Sequence, residues 1–268
     1  MLDSYLARIG LAAPPPCDAD GLAHLHRSHY LNVPYENLGI LLGRSFCLDQ
    51  DALMEKLIGR GVGGYCYELN ISFYRLLLNL GFKVDLVSAR ILQADGNLGP
   101  EYDHAAMIVH LEERWLVDVG NSKWFFEPIR LDTRAVQAQV GRRFQVEPAD
   151  DEFDLMEFDS SGTPKLRYRV GAVARDPSEF EPLCQWKWTS PDSKFTRGLI
   201  LSKFCEEGRF VVTGMRSIVL AHDGSRIDHD FADFEERRQV VRDHFGDAIH
   251  DQLKALGDSG PSITPFPV

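Results

Sequence analysis

Residues 60–70 read R-G-V-G-G-Y-C-Y-E-L-N, and this stretch decides how the rest of the chain is interpreted. Its three glycines allow sharp backbone turns just before Tyr65 and Cys66. From Cys66 onward, apolar residues recur at helical spacing as far as Leu80, and Gly81 follows as a stop signal. The sequence therefore predicts a helix that begins at Cys66.

The predicted position of Cys66 makes its thiol a candidate nucleophile. Only the thiolate attacks, and the unpaired N–H groups at a helix N-terminus favour a negative charge there. Gly63 and Gly64 leave space above the sulfur, where neighbouring N–H groups could hold an oxyanion. The alternative interpretation is a small buried hydrophobic residue, which free cysteines commonly are.

A candidate base and a candidate acid lie on two consecutive predicted strands. His104 heads H-A-A-M-I-V-H-L, and Asp118 stands near the end of R-W-L-V-D-V-G. An antiparallel hairpin brings the start of one strand close to the end of the next. Cys66, His104 and Asp118 would then form a triad in which the imidazole takes the thiol proton and the carboxylate orients the ring. Taken singly, His104 could equally be a satisfied polar residue and Asp118 a strand-end cap.

The length of the hairpin loop decides whether this triad can form. If only Glu112 and Glu113 form the loop, His104 lies opposite Asn121 and Asp118 points to the other face of the sheet. A three-residue loop, or a bulge between the strands, returns His104 and Asp118 to a common face. We predict one of these two arrangements.

The hydrophobic pattern divides the chain into a helical first third, a β-rich middle and a mixed end. Helices are predicted at 3–9, from Asp18 or Asp20 to about Tyr30, and at 49–58. Strands are predicted at 83–92, 104–111, 114–119, 142–147, 165–174 and 198–203, followed by a hairpin at 209–221 and helices at 233–245 and 247–255.

Two further patterns favour structural interpretations. Trp186 and Trp188 alternate as they would on a strand, which favours packing over substrate stacking. His24, His26 and His29 cluster along the second helix without a nearby third acidic ligand, which favours a solvated helix face over a metal site.

The composition is that of a globular protein with an acidic surface. The 268 residues are 44% hydrophobic, which suffices for one large domain or two or three small ones. The 29 basic and 40 acidic side chains give a charge of −11, so we expect neither nucleic acid nor a membrane as a partner. The five cysteines contain no C-x-x-C pair, so neither a metal site nor a disulfide framework is predicted.

The N-terminal segment lacks the pattern of a secretory signal. Asp3 and Arg8 stand where a signal peptide needs an unbroken apolar core. No apolar run approaches the ~20 residues of a membrane span. We therefore expect a cytoplasmic protein, with a homodimer as one alternative for its oligomeric state.

Taken in order, these segments resemble the arylamine N-acetyltransferase family. The resemblance rests on V-P-Y-E-N-L (33–38), G-G-Y-C-Y-E-L-N (63–70), V-D-V-G (117–120), T-S-P-D-S-K-F (189–195) and F-E-E-R-R-Q-V-V-R-D-H-F-G (234–246). It places Cys66 on the family's nucleophile, and His104 and Asp118 on the other two members of its triad.

The resemblance implies an α+β fold with three domains. A helical bundle over 1–85 would carry the nucleophile, a β-barrel over 86–195 would carry His104 and Asp118, and an α/β lid would cover 196–268. The first two domains would together form a cysteine-protease-like catalytic core.

The resemblance also implies an acyl-CoA-dependent N-acyltransferase for aromatic amines or hydrazines, with a role in xenobiotic metabolism. The reaction would be ping-pong: Cys66 takes the acyl group as a thioester, and His104 acts as the base towards the amine. Acetyl-CoA or another acyl-CoA would be the co-substrate, and no cofactor or metal would be bound permanently. The alternatives are an amide synthase that takes a carrier-bound polyketide chain, a non-catalytic homologue and a thiol hydrolase.

The chain departs from the family pattern at two places. The family's arginine before Gly-Gly is Val62 here, although that arginine helps to hold the residues equivalent to Glu36 and Asn37. A buried carboxylate without a partner is costly, so we expect that Arg60 bends back to Glu36 or that this region is organised differently.

The second departure affects the predicted substrate pocket. Asn121 and Ser122 stand where the family has an aromatic residue and a glycine, so a more polar pocket is predicted. By family position, Tyr65, Ser193 and Phe195 are further candidates for the acyl or CoA pocket.

Overall fold

The computed structural model describes residues 2–121, 123, 125–205 and 208–266. The helices are α1 (Leu2–Arg8), α2 (Ala19–Asn32), α3 (Leu38–Leu41), α4 (Gln50–Met54), α5 (Cys66–Leu80), α6 (Glu181–Thr189), α7 (Lys194–Arg197), α8 (Phe234–Phe245) and α9 (Asp247–Leu256). The strands are β1 (Tyr35–Glu36), β2 (Val84–Ile91), β3 (His104–His110), β4 (Arg114–Val117), β5 (Ile129–Arg130), β6 (Gln137–Gln139), β7 (Arg142–Ala149), β8 (Glu152–Phe158), β9 (Pro164–Ala174), β10 (Leu201–Cys205), β11 (Gly208–Thr213), β12 (Arg216–Ala221) and β13 (Arg226–Asp230). Among the described helices, none combines the length and the apolar character needed to cross a membrane.

Helix α5 begins at Cys66, as the glycine-rich motif predicted. The Glu68 carboxylate accepts a hydrogen bond from the Tyr65 N–H at 3.1 Å and so satisfies a free donor at the helix start. Gly81 ends the helix in the left-handed conformation, at φ 94°. The apolar side of α5 packs in one core with α1, α2 and β3.

Eight strands form one sheet in the order β5-β4-β3-β2-β9-β8-β7-β6. Side-chain amides join its two edges: Gln137 hydrogen-bonds the N–H and the C=O of Arg130, each at 2.9 Å. Gln139 hydrogen-bonds the N–H and the C=O of Glu127 in the same way, also at 2.9 Å. The sheet is therefore a nearly closed barrel, and its apolar interior includes Phe144.

The hairpin of β3 and β4 has a three-residue loop, 111–113, which confirms one of the two predicted arrangements. His110 lies opposite Arg114, and Met107 lies opposite Val117. With this register, His104 and Asp118 fall on the face of β3 and β4 whose other side chains fill the barrel interior.

A second sheet joins the two ends of the chain. Its order is β1-β10-β11-β12-β13, so the short strand β1 of the first third pairs with β10 near the C-terminus. Helices α8 and α9 pack on this sheet through a core that includes Val212, Val241 and Leu253. The predicted domain boundaries at 85 and 195 stay a prediction. Strand β1 lies within the predicted helical bundle but belongs to the C-terminal sheet.

The strand predicted around Trp186 and Trp188 was wrong. These residues lie on helix α6, which has a proline in its first turn, a favoured position. Residues two apart on a helix point in different directions. Trp188 is accordingly buried, whereas Trp186 is exposed.

Five of the described strands, β1, β5, β6, β8 and β13, lie where the sequence predicted none. The acidic residues Asp154 and Glu157 interrupt the apolar pattern of β8. Their charges are paired within the barrel, where Arg169 lies 2.6 Å from Asp154 and Arg167 lies 2.6 Å from Glu157. The pairing partners are on β9 and could not be recognised from β8 alone.

Candidate active site

His104 and Asp118 meet at one end of the barrel, where both side chains are buried. The Nε2 atom of His104 lies 2.8 Å from Oδ2 of Asp118, although 14 positions separate them in the chain. The carboxylate therefore fixes the orientation of the imidazole and leaves the other ring nitrogen, Nδ1, for a different partner.

The Cys66 side chain lies close enough to this imidazole to act on its charge. Burial lowers the pKa of His104, but the charge and hydrogen bond of Asp118, together with the Cys66 side chain, raise it to about 10. Within the described residues, Nδ1 of His104 is buried and has no hydrogen-bond partner, which leaves it available to the Cys66 thiol. The Cys66 residue itself is 5% exposed, so this contact is shielded from bulk water.

Asn70 holds Asp118 from the same helix that carries Cys66. Its amide N–H donates to Oδ1 of Asp118 at 2.8 Å. Its own Oδ1 accepts from the N–H groups of Val119 and Gly120, each at 2.9 Å. Asn70 was not among the predicted site residues. It ends the motif G-G-Y-C-Y-E-L-N and stands one turn after Cys66, and this spacing is the signal that could have indicated its role.

Gly120 lets the chain after β4 contact the Cys66 backbone. A Cβ atom at position 120 would lie 2.5 Å from the carbonyl oxygen of Cys66 and 2.5 Å from Nδ2 of Asn70. No side chain fits in that space. The glycine of V-D-V-G therefore allows α5 and the end of β4 to approach closely.

Lys56 holds two buried carboxylates next to the Cys66 loop. Its Nζ atom lies 2.7 Å from Oε2 of Glu68 and 3.3 Å from Oε1 of Glu36. Burial lowers the pKa of Lys56, but the two carboxylates raise this pKa by more than burial lowers it. The ammonium therefore stays charged. Glu36 also accepts from the Leu38 N–H at 2.5 Å, and its own N–H donates to the Gly64 carbonyl.

The cation next to Glu36 is thus Lys56, so the second of the two predicted alternatives holds: this region is organised differently, and Arg60 does not bend back to Glu36. Arg60 is exposed and forms no ion pair with Glu36 among the described contacts. Val62 instead packs in the apolar core beneath the C-terminal sheet. The cation reaches Glu36 from the turn after α4, a position that the family motif does not include.

Asn37 connects this region to the segment before β10. Its amide N–H group donates to the carbonyls of Phe195 and Gly198 at 2.8 and 2.7 Å. Its Oδ1 accepts from the Ile200 N–H at 3.0 Å. Glu36 and Asn37, although adjacent in the chain, therefore have different partners.

The predicted pocket residues that can be described are mostly packed rather than open. Tyr65 is buried, its hydroxyl contacts the Cys184 sulfur, and its ring lies 5.6 Å from that of Phe195. Ser193 caps α7 and donates to the Lys187 carbonyl. All three predicted residues are therefore buried and packed against other parts of the chain.

Asn121 follows directly after the segment that contacts Cys66. Its side-chain oxygen accepts from the Lys123 N–H at 3.0 Å, and its carbonyl accepts from the Tyr30 hydroxyl. The prediction for Ser122 lies outside the described residues.

His26 and His29 are buried, so the prediction of a solvated helix face was wrong for both and holds only for His24. The buried side of α2 faces Phe73 of α5 and Phe125, and both histidines lie on that side. Across the described ranges, no group of three or more His, Cys, Asp or Glu side chains could hold a metal ion.

Comparisons with known proteins agree on one family. A family profile described as N-acetyltransferase matches residues 18–253. The arylamine N-acetyltransferase of Escherichia coli is 27% identical over 254 residues, which is 94% of this chain and 90% of that protein. Proansamycin X synthase of Amycolatopsis mediterranei is 34% identical over 150 residues, 54% of this chain and 57% of that protein.

The solved structures include the arylamine N-acetyltransferase of Mycobacterium marinum in complex with CoA. It superimposes with a TM-score of 0.85 at 25% identity and covers 94% of each chain. The shared barrel and the match over most of the sequence have one explanation. This chain belongs to the arylamine N-acetyltransferase family.

Proposed function

We propose that this protein transfers an acyl group from acyl-CoA to an amine through a thioester on Cys66. The observation that carries the proposal is the buried His104 ring, which binds Asp118 at 2.8 Å through Nε2, interacts with the Cys66 side chain, and has no hydrogen-bond partner for Nδ1 among the described residues. A nucleophile, a base and a group that orients the base are the parts that covalent acyl transfer requires.

In the first half-reaction, the Cys66 thiolate attacks the thioester carbonyl of acyl-CoA. The new carbon–sulfur bond to Cys66 replaces the bond to CoA, and the protonated His104 gives its proton to the leaving CoA sulfur. The raised pKa of His104, about 10, supports this role because the imidazole is protonated at neutral pH before CoA leaves.

In the second half-reaction, the amine attacks the acyl-cysteine. His104, now neutral, takes a proton from the amine nitrogen, and the carbon–sulfur bond breaks to return the Cys66 thiolate. Asp118 keeps Nδ1 of His104 directed at Cys66 in both halves. The two N–H groups held by Asn70, those of Val119 and Gly120, fix the chain beside the reacting sulfur.

The similarity to the M. marinum enzyme, which was solved with CoA, supports acetyl-CoA or another acyl-CoA as the donor. The similarity to the E. coli arylamine N-acetyltransferase supports an aromatic amine as the acceptor, and a hydrazine is the other acceptor that the sequence resemblance implies. No permanently bound cofactor is needed for these steps, since Cys66 carries the acyl group from CoA until the amine nitrogen bonds to it.

Mass spectrometry after incubation with acetyl-CoA tests the proposal. We expect one acetyl group on Cys66 of the wild type, none on Cys66→Ala, and its loss when an arylamine is added. Cys17→Ala is the control, because Cys17 is an exposed cysteine that any unspecific thiol acetylation would reach. A wild type that stays unmodified, or an adduct that survives in Cys66→Ala, would contradict the proposal.

A second candidate is an amide synthase that closes a macrolactam from a carrier-bound chain. The similarity to proansamycin X synthase and the polar Asn121 in place of an aromatic residue favour it. The same mass measurement separates the two functions if acetyl-CoA and a long-chain carrier thioester are compared as donors. Faster loading of Cys66 from the carrier thioester would favour the amide synthase.

A further inference from the structure

The backbone of Asp118 is held by helix α2. Strand β4 ends at Val117, so the N–H and C=O of Asp118 have no partner in the sheet ladder. Nε2 of His26 accepts from the Asp118 N–H at 3.4 Å, and the Tyr30 hydroxyl donates to the Asp118 carbonyl at 2.7 Å. His26 and Tyr30 are one turn apart on α2 and therefore face the same way.

The tautomer of His26 is fixed by a third contact. Its Nδ1 atom lies 2.9 Å from the carbonyl oxygen of Phe126, which can only accept, so Nδ1 carries the proton. Nε2 then has a free lone pair directed at the Asp118 N–H. The ring is fully buried and stacks on Phe125, with 5.7 Å between ring centroids and 17° between planes.

Burial keeps His26 neutral. It lowers the pKa of His26 to about 4, against weaker opposing effects of Phe126 and Asp118. A neutral imidazole is needed here, because a proton on Nε2 would face the N–H of Asp118. The charge state, the tautomer and the stacking of His26 all suit an acceptor for that single N–H group.

We propose that His26 is a positioning residue that sets the backbone of Asp118 and thereby the direction in which Asp118 holds His104. This inference rests on the proposed function, since it assigns His26 a role through the same three residues. Asn70 fixes the carboxylate of Asp118, whereas His26 and Tyr30 fix its backbone, so the aspartate is held from two different helices.

His29 offers a matched control on the same helix. It is as buried as His26, but neither of its ring nitrogens has a hydrogen-bond partner within the described residues. Its ring packs against Phe73 and Tyr5, away from Asp118. A substitution at His29 therefore disturbs the packing of α2 without removing a bond to Asp118.

The experiment measures the rate at which iodoacetamide alkylates Cys66, which requires no acyl donor. Gln at position 26 can place an acceptor near the position of Nε2, whereas Asn is too short to reach the Asp118 N–H. We expect His26→Asn to slow alkylation at pH 7 about tenfold, the usual size for one hydrogen bond to a polar group. His26→Gln and His29→Asn should stay within about threefold of the wild type.

Equal rates for His26→Asn and the wild type would overturn the inference. So would an equal loss in His29→Asn, because the effect would then come from helix packing. If His26→Asn does not fold, ¹⁵N NMR of labelled histidine in the wild type tests the inference instead, because it shows which ring nitrogen of His26 carries the proton. A proton on Nδ1 supports the inference, and a proton on Nε2 overturns it.

The proposed function is tested separately, by measuring acetylation of wild-type Cys66 with acetyl-CoA. A wild type that alkylates as expected but takes no acetyl group would contradict the proposed function and leave the role of His26 standing.

Discussion

Lys56 shows how one residue can replace another from a different place in the chain. A cation between Glu36 and Glu68 is needed because both carboxylates are buried, and burial raises the pKa of Glu68 against the opposing effect of Lys56. The usual position for that cation holds Val62, which instead extends an apolar core. Lys56, in the turn after α4 and twelve positions before Glu68, supplies the positive charge instead.

We expect Lys56→Met to lower the free energy of unfolding by about 3–5 kcal/mol, because it leaves two buried carboxylates without a cation. Urea unfolding followed by circular dichroism measures this loss. Lys56→Arg keeps the charge and should lose much less. A loss below about 1 kcal/mol in Lys56→Met would show that the carboxylates find another partner or take up a proton.

Asp118→Asn should lower the pKa of His104 from about 10, because the largest of the effects that raise it is removed while burial remains. The alkaline limit of Cys66 acetylation by acetyl-CoA should move to lower pH accordingly, because the leaving CoA sulfur takes its proton from His104. NMR titration of His104 reports the pKa directly. Asp85→Asn is the control, since Asp85 of β2 pairs with His110 at 2.7 Å at the other end of β3, where both side chains are partly exposed. An unchanged His104 titration in Asp118→Asn would refute this explanation.

Gly120→Ala should destabilise the fold by about 1–3 kcal/mol and abolish loading of Cys66, because the added Cβ would overlap the Cys66 carbonyl. Thermal unfolding and the acetylation assay measure the two effects. In Gly171→Ala the new Cβ meets its nearest atom, the Ser88 carbonyl oxygen, at 3.4 Å. Gly171→Ala should therefore keep both its stability and its loading of Cys66. An equal loss in Gly171→Ala would mean that the loss in Gly120→Ala comes from replacing any glycine and not from overlap with Cys66.

At the scale of elements, α2 is a helix with titratable groups in the core. Burial lowers the pKa of His26 to about 4 and that of His29 well below 6.5. An unfolded histidine binds a proton near pH 6.5, so below this pH the unfolded chain takes up protons that the folded chain does not. The free energy of unfolding therefore falls as the pH drops below 6.5. The contribution of His26 to this fall ends near pH 4, where the folded protein also binds the proton.

His29→Leu removes one of these groups. Relative to the wild type, its free energy of unfolding should rise by about 1.4 kcal/mol for each pH unit below 6.5 and stay constant above it. Urea unfolding at pH 7.5, 6 and 5 gives the difference. His24→Gln, at an exposed position on the same helix, is the control for a substitution on α2. A difference that is independent of pH would mean that His29 titrates normally in the folded protein.

The hairpin of β3 and β4 shows what an element adds to its residues. Alternation predicted the strands, and parity predicted that a triad needs an odd loop or a bulge. The loop of 111–113 supplied it. By contrast, α6 was mistaken for a strand because Trp186 and Trp188 alternate over too few residues to separate the two periods.

At the scale of the whole molecule, the first third and the last third of the chain share a sheet and a set of hydrogen bonds. Asn37→Ala would leave the Ile200 N–H and two buried carbonyls without their partner. We expect a loss of about 1–3 kcal/mol in the free energy of unfolding. Asn32→Ala is the control, since Asn32 bonds only the carbonyls of Ile9 and Ser28 within the first helices. A smaller loss at Asn37 than at Asn32 would argue against this link as a major contribution.

Much of the fold and three members of the candidate site could be predicted from the sequence. The start of α5, the strands that carry His104 and Asp118, and the contact between these two residues all followed from patterns within about 60 residues of Cys66. Strands β5, β6 and β13 were too short or too polar to show a pattern, and their partners alone define them.

The sequence by itself determined where the helix of Cys66 begins and which face of the hairpin carries His104, because local periodicity and loop length fix both. The tertiary structure decided what supports them. The Asp118 N–H meets His26 across 92 positions, and Asn37 meets Phe195 across 158. Such contacts leave no periodic trace in the sequence, since each depends on where two separate elements are packed and on which buried group still lacks a partner.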